Sequence, residues 1–235
     1  MAYLGIGLKQ SESVGAQAPW VERYDLSLYP GKVYQDGVQA LIDTIMRSPQ
    51  RVTLICTGPT PNIRAALDRE PRIADRASFV GMYGSLYRGY DGKKTPDAEY
   101  NVRCDPEACR RALTAPWSIT ITPLDTCGVV SLRGKKYAAV HDCKDPMIRA
   151  LMENYRIWLG GNAEKANTAS SILFDTVAAY LSISEDLLVM KELGVRVTDD
   201  GHTVLDSRGK KMNCALEWKN PAAFEDFLVN RLTGR

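Results

Sequence analysis

Three short stretches of the chain combine residue types that could do chemistry. Asp175 lies in the segment 172–181, Ile-Leu-Phe-Asp-Thr-Val-Ala-Ala-Tyr-Leu, which reads as a helix that is apolar nearly all round. A helix of that kind is expected to be buried, and an ionised carboxylate in it costs several kcal/mol unless it is paired or bound to a cation. An arginine, a helix amino terminus or a hard metal ion would each serve as the partner. Glu99 and Asn101 flank Tyr100; on extended backbone they would share one side while Tyr100 faces the other. A carboxylate that accepts and an amide that does both suit sugar hydroxyls, although a solvated loop edge would place the same residues there. Thr57-Gly58-Pro59 closes an apolar run. A carbonyl released from a strand at such a turn is a normal calcium ligand, and the same tripeptide also serves as an ordinary strand-to-helix turn.

The elements that must position these groups follow from periodicity. Val38, Leu41, Ile42 and Ile45 recur at helical spacing, and the polar run 47–50 ends that helix. Residues 52–56, Val-Thr-Leu-Ile-Cys, form a β-rich apolar run expected of an interior strand, closed by Gly58-Pro59. A helix over 62–68 is broken at Pro71, and 77–82 offers a second strand. Residues 83–98, rich in Gly, Tyr, Lys and Asp, predict an exposed loop. Asp105-Pro106-Glu107 starts a helix with an N-cap, a first-turn proline and a first-turn acid. A strand over 118–122 runs into a turn over 123–128. Met147, Ile148, Leu151, Met152, Tyr155 and Trp158 line one side of a further helix, and the tail adds short strands and an amphipathic helix with Phe224, Phe227 and Leu228. Strands alternating with helices predict an α/β fold, an open, largely parallel central sheet flanked by helices, as a single domain over 1–235.

Composition removes several alternatives. The chain carries 30 basic and 28 acidic residues, and its lysine pairs at 93–94, 135–136 and 210–211 are too short and scattered to track a phosphate backbone, so nucleic acid is not expected as a partner. No apolar run reaches the length of a membrane span, and the first ten residues lack the pattern of an export signal. Six cysteines without a C-x-x-C pair, and only two histidines, argue against a zinc site and for a reducing, cytoplasmic location.

Five motifs in order carry a resemblance. Residues 56–63, Cys-Thr-Gly-Pro-Thr-Pro-Asn-Ile, followed by Arg69-Glu70-Pro71, are similar to the T-G-P-L-T-N-(I/V) segment and later E-P of the inosine/uridine-preferring nucleoside hydrolases. Gly81-Met82-Tyr83-Gly84 resembles that family's M-G-G strand end. Ala98-Glu99-Tyr100-Asn101 with Asp105-Pro106-Glu107-Ala108 resembles A-E-F-N and D-P-E-A. Pro123-Leu124-Asp125-Thr126 resembles the G-L-D-V-T turn, and Leu173-Phe174-Asp175 with Val177-Ala178 resembles the H-D-x-x-A helix.

The resemblance implies that Asp175 and the Thr57 carbonyl are calcium ligands and that Met82, Glu99 and Asn101 contact ribose. It also implies the reaction, hydrolysis of the N-glycosidic bond of a ribonucleoside to ribose and free base. The transition state is oxocarbenium-like, so the sugar is held by its hydroxyls while an activated water attacks the anomeric carbon. In the family the base and further calcium ligands come from an opening strand with D-x-D-x-x-x-D-D, a motif this sequence lacks. The expectation is therefore an amino-terminally truncated member without the first strand of its sheet, with no catalytic base of its own, doubtful calcium binding and no turnover by itself. Phe174 stands where some members carry a proton-donating histidine. Lys93 falls where an asparagine near the 5′ end of the sugar is usual, and Pro61 replaces a threonine. A non-catalytic ribose- or nucleoside-binding protein is the alternative, and a homo-oligomer is compatible with the sequence. A generic nucleotide-binding domain is disfavoured by the lack of G-x-G-x-x-G and G-x-x-x-x-G-K-(S/T).

Overall fold

The computed structural model describes residues 3–5, 7–8 and 25–234. Half of the opening segment 1–10, on which the reading of the chain's start rests, lies outside the described residues.

Strands β1 (Tyr3–Gly5) and β2 (Lys32–Tyr34) pair in parallel as a small separate sheet. Asp36 caps helix α1 (Gly37–Arg47) by accepting the Gln39 N–H, and Val38, Ile42 and Ile45 form its buried stripe. Strand β3 (Val52–Cys56), helix α2 (Pro61–Arg69) with proline in its first turn, the single turn α3 (Ile73–Arg76) and strand β4 (Ala77–Met82) then make a parallel crossover. A long connection leads to α4 (Tyr100–Cys104) and α5 (Pro106–Thr114), the second capped by Asp105 as its sequence predicts. Strand β5 (Ile119–Thr122) and α6 (Leu124–Cys127) follow, then α7 (Gly134–His141), α8 (Pro146–Leu159) and α9 (Phe174–Leu181). The chain ends in β6 (Leu188–Val197), β7 (Thr203–Leu205), β8 (Lys210–Trp218) and α10 (Pro221–Thr233).

The main sheet has the order β3-β4-β5-β8-β6-β7. The first four strands are mutually parallel, and β6 runs antiparallel to both its neighbours. The expected α/β class with a largely parallel sheet is borne out. Alternation along the inner strands divides the core: Phe79 and Cys214 join the layer beneath α1, α2 and α5, whereas Val80 and Ala215 join the layer with α6, α9 and α10. Trp117 stacks on Phe79 at 5.6 Å between ring centroids and anchors the first layer.

Four local expectations need correction. Strand β3 is an edge among the described residues: it pairs with β4 alone, and Ile55 is 48 % exposed while Leu54 is buried. Its apolar run marked a strand, but which neighbours flank a strand is a long-range fact. Residues 83–86 are buried, not exposed, because hydrogen bonds from elsewhere in the fold pin them down, as described below. The apolar stripe of α8 is mostly uncovered: of the six residues expected on one side only Ile148 is buried, and Met147 and Trp158 are each 73 % exposed. Finally, β6 and β8 are 10 and 9 residues long, not the short strands expected of the tail.

Candidate active site

The site is built where β4 ends. After Met82 and Tyr83 the chain turns at Gly84, whose φ of +84° is the left-handed region and whose missing Cβ leaves room for Thr203, which would otherwise be met at 2.6 Å. Gly84 spans two contacts: its carbonyl accepts the Leu124 N–H at 2.9 Å, and its N–H donates to Glu99 Oε2 at 3.1 Å. Beyond it, the Ser85 N–H donates to Thr203 Oγ1 at 2.9 Å, and the Leu86 and Tyr87 N–H groups donate to the two oxygens of Asp125 at 2.9 and 2.8 Å. These bonds from remote strands and turns bury the start of the loop that composition alone suggested was solvated.

Glu99 and Asn101 converge, but not through extended backbone. Glu99 is the N-cap of α4 and accepts the N–H groups of Asn101 at 2.8 Å and Val102 at 3.3 Å in addition to that of Gly84. One helical turn then points Asn101 inward, where its Nδ2 donates to the Met82 carbonyl at 3.0 Å and lies 3.3 Å from Met82 Sδ. Tyr100 is left exposed. Glu99, Asn101 and Met82 are all nearly inaccessible to solvent. Burial pushes the Glu99 carboxyl up to about 7 from an ordinary 4.5; the three N–H donors pull it down and the nearby Asp175 charge adds to the rise, but desolvation dominates.

Asp175 departs from expectation. It sits in the first turn of α9 and is exposed, because the helix starts only at Phe174 and this turn faces open space, while Val177 and Ala178 carry the buried side. Among the described residues its carboxylate has no hydrogen-bond or ion-pair partner, so the paired, buried carboxylate read from the apolar sequence is not what folds. The cleft walls still withdraw part of its water, and its pKa is raised by that desolvation.

All five expected site residues line one cleft of ≈ 440 Å³: Thr57, Met82, Glu99, Asn101 and Asp175, with Tyr90, Tyr100 and Phe174. It opens past the carboxyl ends of β3 and β4, where open α/β sheets place their ligands. Tyr90 and Tyr100 were not singled out by sequence; nothing in their spacing marks them, since the loop between β4 and α4 brings Tyr90 back so that its hydroxyl accepts the Tyr100 N–H at 2.8 Å. The Tyr90 ring meets that of Phe174 edge-on, 6.2 Å between centroids. Lys93 is not among the lining residues; its Nζ turns to Asp97 at 3.4 Å. A larger cleft of ≈ 530 Å³ lies beside β6 and the start of β8, but its arginines are tied to aspartates, Arg110 to Asp199 and both Arg196 and Arg208 to Asp206, and it contains none of the expected residues.

Calcium surrounds itself with about six to eight oxygens. Among the described residues no group of three or more His, Cys, Asp or Glu converges to hold a metal, and a lone carboxylate at Asp175 beside Thr57 falls well short of that number. The described donor set therefore does not by itself make a calcium site.

Comparison with known proteins places the chain among relatives. The chain is 42 % identical to the inosine-uridine preferring nucleoside hydrolase of Leishmania major over 90 residues, 38 % of this chain and 28 % of that one. It is 24 % identical over 191 residues to a probable uridine nucleosidase 2 of Oryza sativa subsp. japonica, 80 % of this chain and 56 % of that one. The chain thus corresponds to only part of either relative. The fold superposes on the purine-preferring ribonucleoside hydrolase of Gardnerella vaginalis with a TM-score of 0.72 at 22 % identity, covering 87 % of this chain and 68 % of that one. The family model of inosine-uridine preferring nucleoside hydrolases matches residues 7–225, and the chain belongs to that family.

Proposed function

We propose that the cleft holds the ribosyl half of a ribonucleoside, and that the reaction served is hydrolysis of the N-glycosidic bond to ribose and free base. The observation that carries this reading is the convergence of Met82, Glu99 and Asn101, three groups far apart in kind but joined by hydrogen bonds, on one cleft with Thr57 and Asp175. Buried, hydrogen-bonded polar groups of fixed orientation are what sugar hydroxyls need, because they discriminate by leaving a partner unmet when the hydroxyl is absent. Glu99 acts as acceptor for a ribose hydroxyl and Asn101 presents its amide oxygen beside it. Thr57 and Asp175 form the side toward which a calcium ion would be drawn, each supplying one oxygen.

The same inventory argues that these 235 residues bind but do not turn over by themselves. Attack by water needs a base within hydrogen-bond reach. Glu99 is committed to three backbone N–H groups, and among the described residues Asp175 stands without the further oxygens that would fix a cation and a water beside it. Released reducing sugar, measured with inosine and uridine in excess calcium, is expected to stay at background, and calorimetry is expected to show D-ribose binding. Robust turnover would overturn the inactivity; absence of ribose or nucleoside binding by folded protein would overturn the site.

A further inference from the structure

The second cleft, of ≈ 530 Å³, shares no residue with the first. It opens where β6 ends and β8 begins, and because β8 runs parallel to β4 and β5 this is the opposite end of the sheet from Thr57 and Asp175. Its floor is apolar, made by Leu113 at the end of α5 with Val195 and Val197 of β6. Lys210 stands directly opposite Val195 in the antiparallel β6–β8 pair, so its side chain rises from the same face as that floor. It is half-buried, and among the described residues its ammonium has no hydrogen-bond or ion-pair partner. Arg110 reaches the same floor from α5, its Nε donating to the Val197 carbonyl at 3.3 Å.

The charges around this floor do not balance. Arg110, Arg196, Arg208 and Lys210 line the cleft, and two carboxylates answer them. Asp206 is shared between Arg196 and Arg208, and Asp199, the partner of Arg110, has 97 % of its side chain exposed. An ion pair that open to water contributes little and gives way to a better anion. A surplus of two positive charges remains, with the unpaired ammonium beside the apolar floor. A carboxylate ligand supplies a single negative charge, whereas a phosphate monoester carries close to two at neutral pH and three strong acceptor oxygens. Arginine and lysine together suit that head, and the volume lies in the range of small-molecule clefts.

We propose that this cleft is a second binding site, for a small organic phosphate monoester. The dianionic head lies between Lys210 and Arg110, and the organic group that bears it covers the floor of Leu113, Val195 and Val197. The site goes beyond the ribosyl reading and stands without it, since a neutral sugar offers the surplus cations nothing to bind.

The test is isothermal titration calorimetry on the 235-residue protein in a low-salt, phosphate-free buffer, with phenyl phosphate, inorganic phosphate and benzyl alcohol as probes. Phenyl phosphate is expected to bind roughly tenfold more tightly than inorganic phosphate, because its ring leaves water for the apolar floor. Benzyl alcohol, which has the ring without the charge, is expected to give no measurable heat. Lys210→Met keeps an apolar stem and removes the charge, and is expected to weaken phenyl phosphate roughly tenfold, the scale of one hydrogen bond to a charged group. Lys210→Arg is expected to keep the affinity, which a loss through misfolding at this position would not do. Excess D-ribose is expected to leave the phenyl phosphate affinity unchanged. No binding of phenyl phosphate by wild-type protein, or undiminished binding by Lys210→Met, would overturn the site. Competition by D-ribose would place the probe in the first cleft and overturn it as well, and inorganic phosphate bound as tightly as phenyl phosphate would overturn the role of the floor.

Discussion

The two sides of the cleft were assembled under opposite rules. On one side Met82, Glu99 and Asn101 are buried and joined through five hydrogen-bonded contacts that also close the turn at Gly84 and start helix α4, so binding groups and fold are the same set of interactions. On the other side Thr57 follows an edge strand and Asp175 sits in an exposed helical turn with no described partner, so nothing in the fold depends on either. The first side is rigid before any ligand arrives. The second is held in place by its backbone alone and awaits charge from outside. A preorganised side loses little freedom on binding, whereas a lone carboxylate binds a cation only as strongly as the ligands around it permit.

That contrast breaks most visibly at Glu99. Glu99→Ala strands the N–H groups of Gly84, Asn101 and Val102 in a buried site, and a loss of roughly 4 kcal/mol is expected in urea unfolding followed by tryptophan fluorescence, together with loss of ribose binding. A loss under about 1 kcal/mol would mean that water replaces the carboxylate and that the side is less rigid than described.

The pH dependence is the next largest effect. Because the folded-state pKa of Glu99 lies above its ordinary value, at about 7 against 4.5, the folded state binds the additional proton between those values. Stability then falls as pH rises through that window, by about 3 kcal/mol in total, and is flat above it. Glu99→Gln, which keeps an acceptor without the charge, is expected to flatten the profile. An unchanged slope would assign the titration to another group.

Asn101→Ala removes the amide that binds the Met82 carbonyl and leaves that carbonyl unpaired, an expected loss of about 1–2 kcal/mol, read by thermal unfolding, with ribose affinity reduced. The smallest effect belongs to the other side. Asp175→Asn is expected to change stability by less than about 0.5 kcal/mol, because an exposed carboxylate without partners holds nothing together. If Asp175→Asn destabilised the protein as much as Asn101→Ala, the two sides would not differ as proposed.

How much of this was legible beforehand varies residue by residue. The cap at Asp105, the strand over 77–82 and the parallel crossovers follow from local patterns, because a helix start or a buried strand is written within a few residues. Glu99 and Asn101 were placed together, but by the wrong geometry: two residues apart on a strand and N-cap to second helical residue both bring side chains to one region, and sequence spacing does not separate the two. Asp175 was read as buried because its neighbours are apolar, yet burial belongs to a face, and the first turn of α9 has its open face at this residue. Asp125 stood out only as part of the 123–126 turn and Thr203 gave no signal, since the loop residues they fasten lie 38 and 118 positions away in the chain.

Sequence alone determined the alternation of strands and helices, the family to which the chain belongs and the identities of the five residues around the cleft, because each of these depends on residue type and local order. Tertiary structure decided which strand is an edge, which carboxylate is buried and which exposed, and that Tyr90, Tyr100 and Phe174 share a wall. Those properties depend on which distant segments come into contact, and contact between distant segments is set by the packing of the whole sheet and its two helical layers.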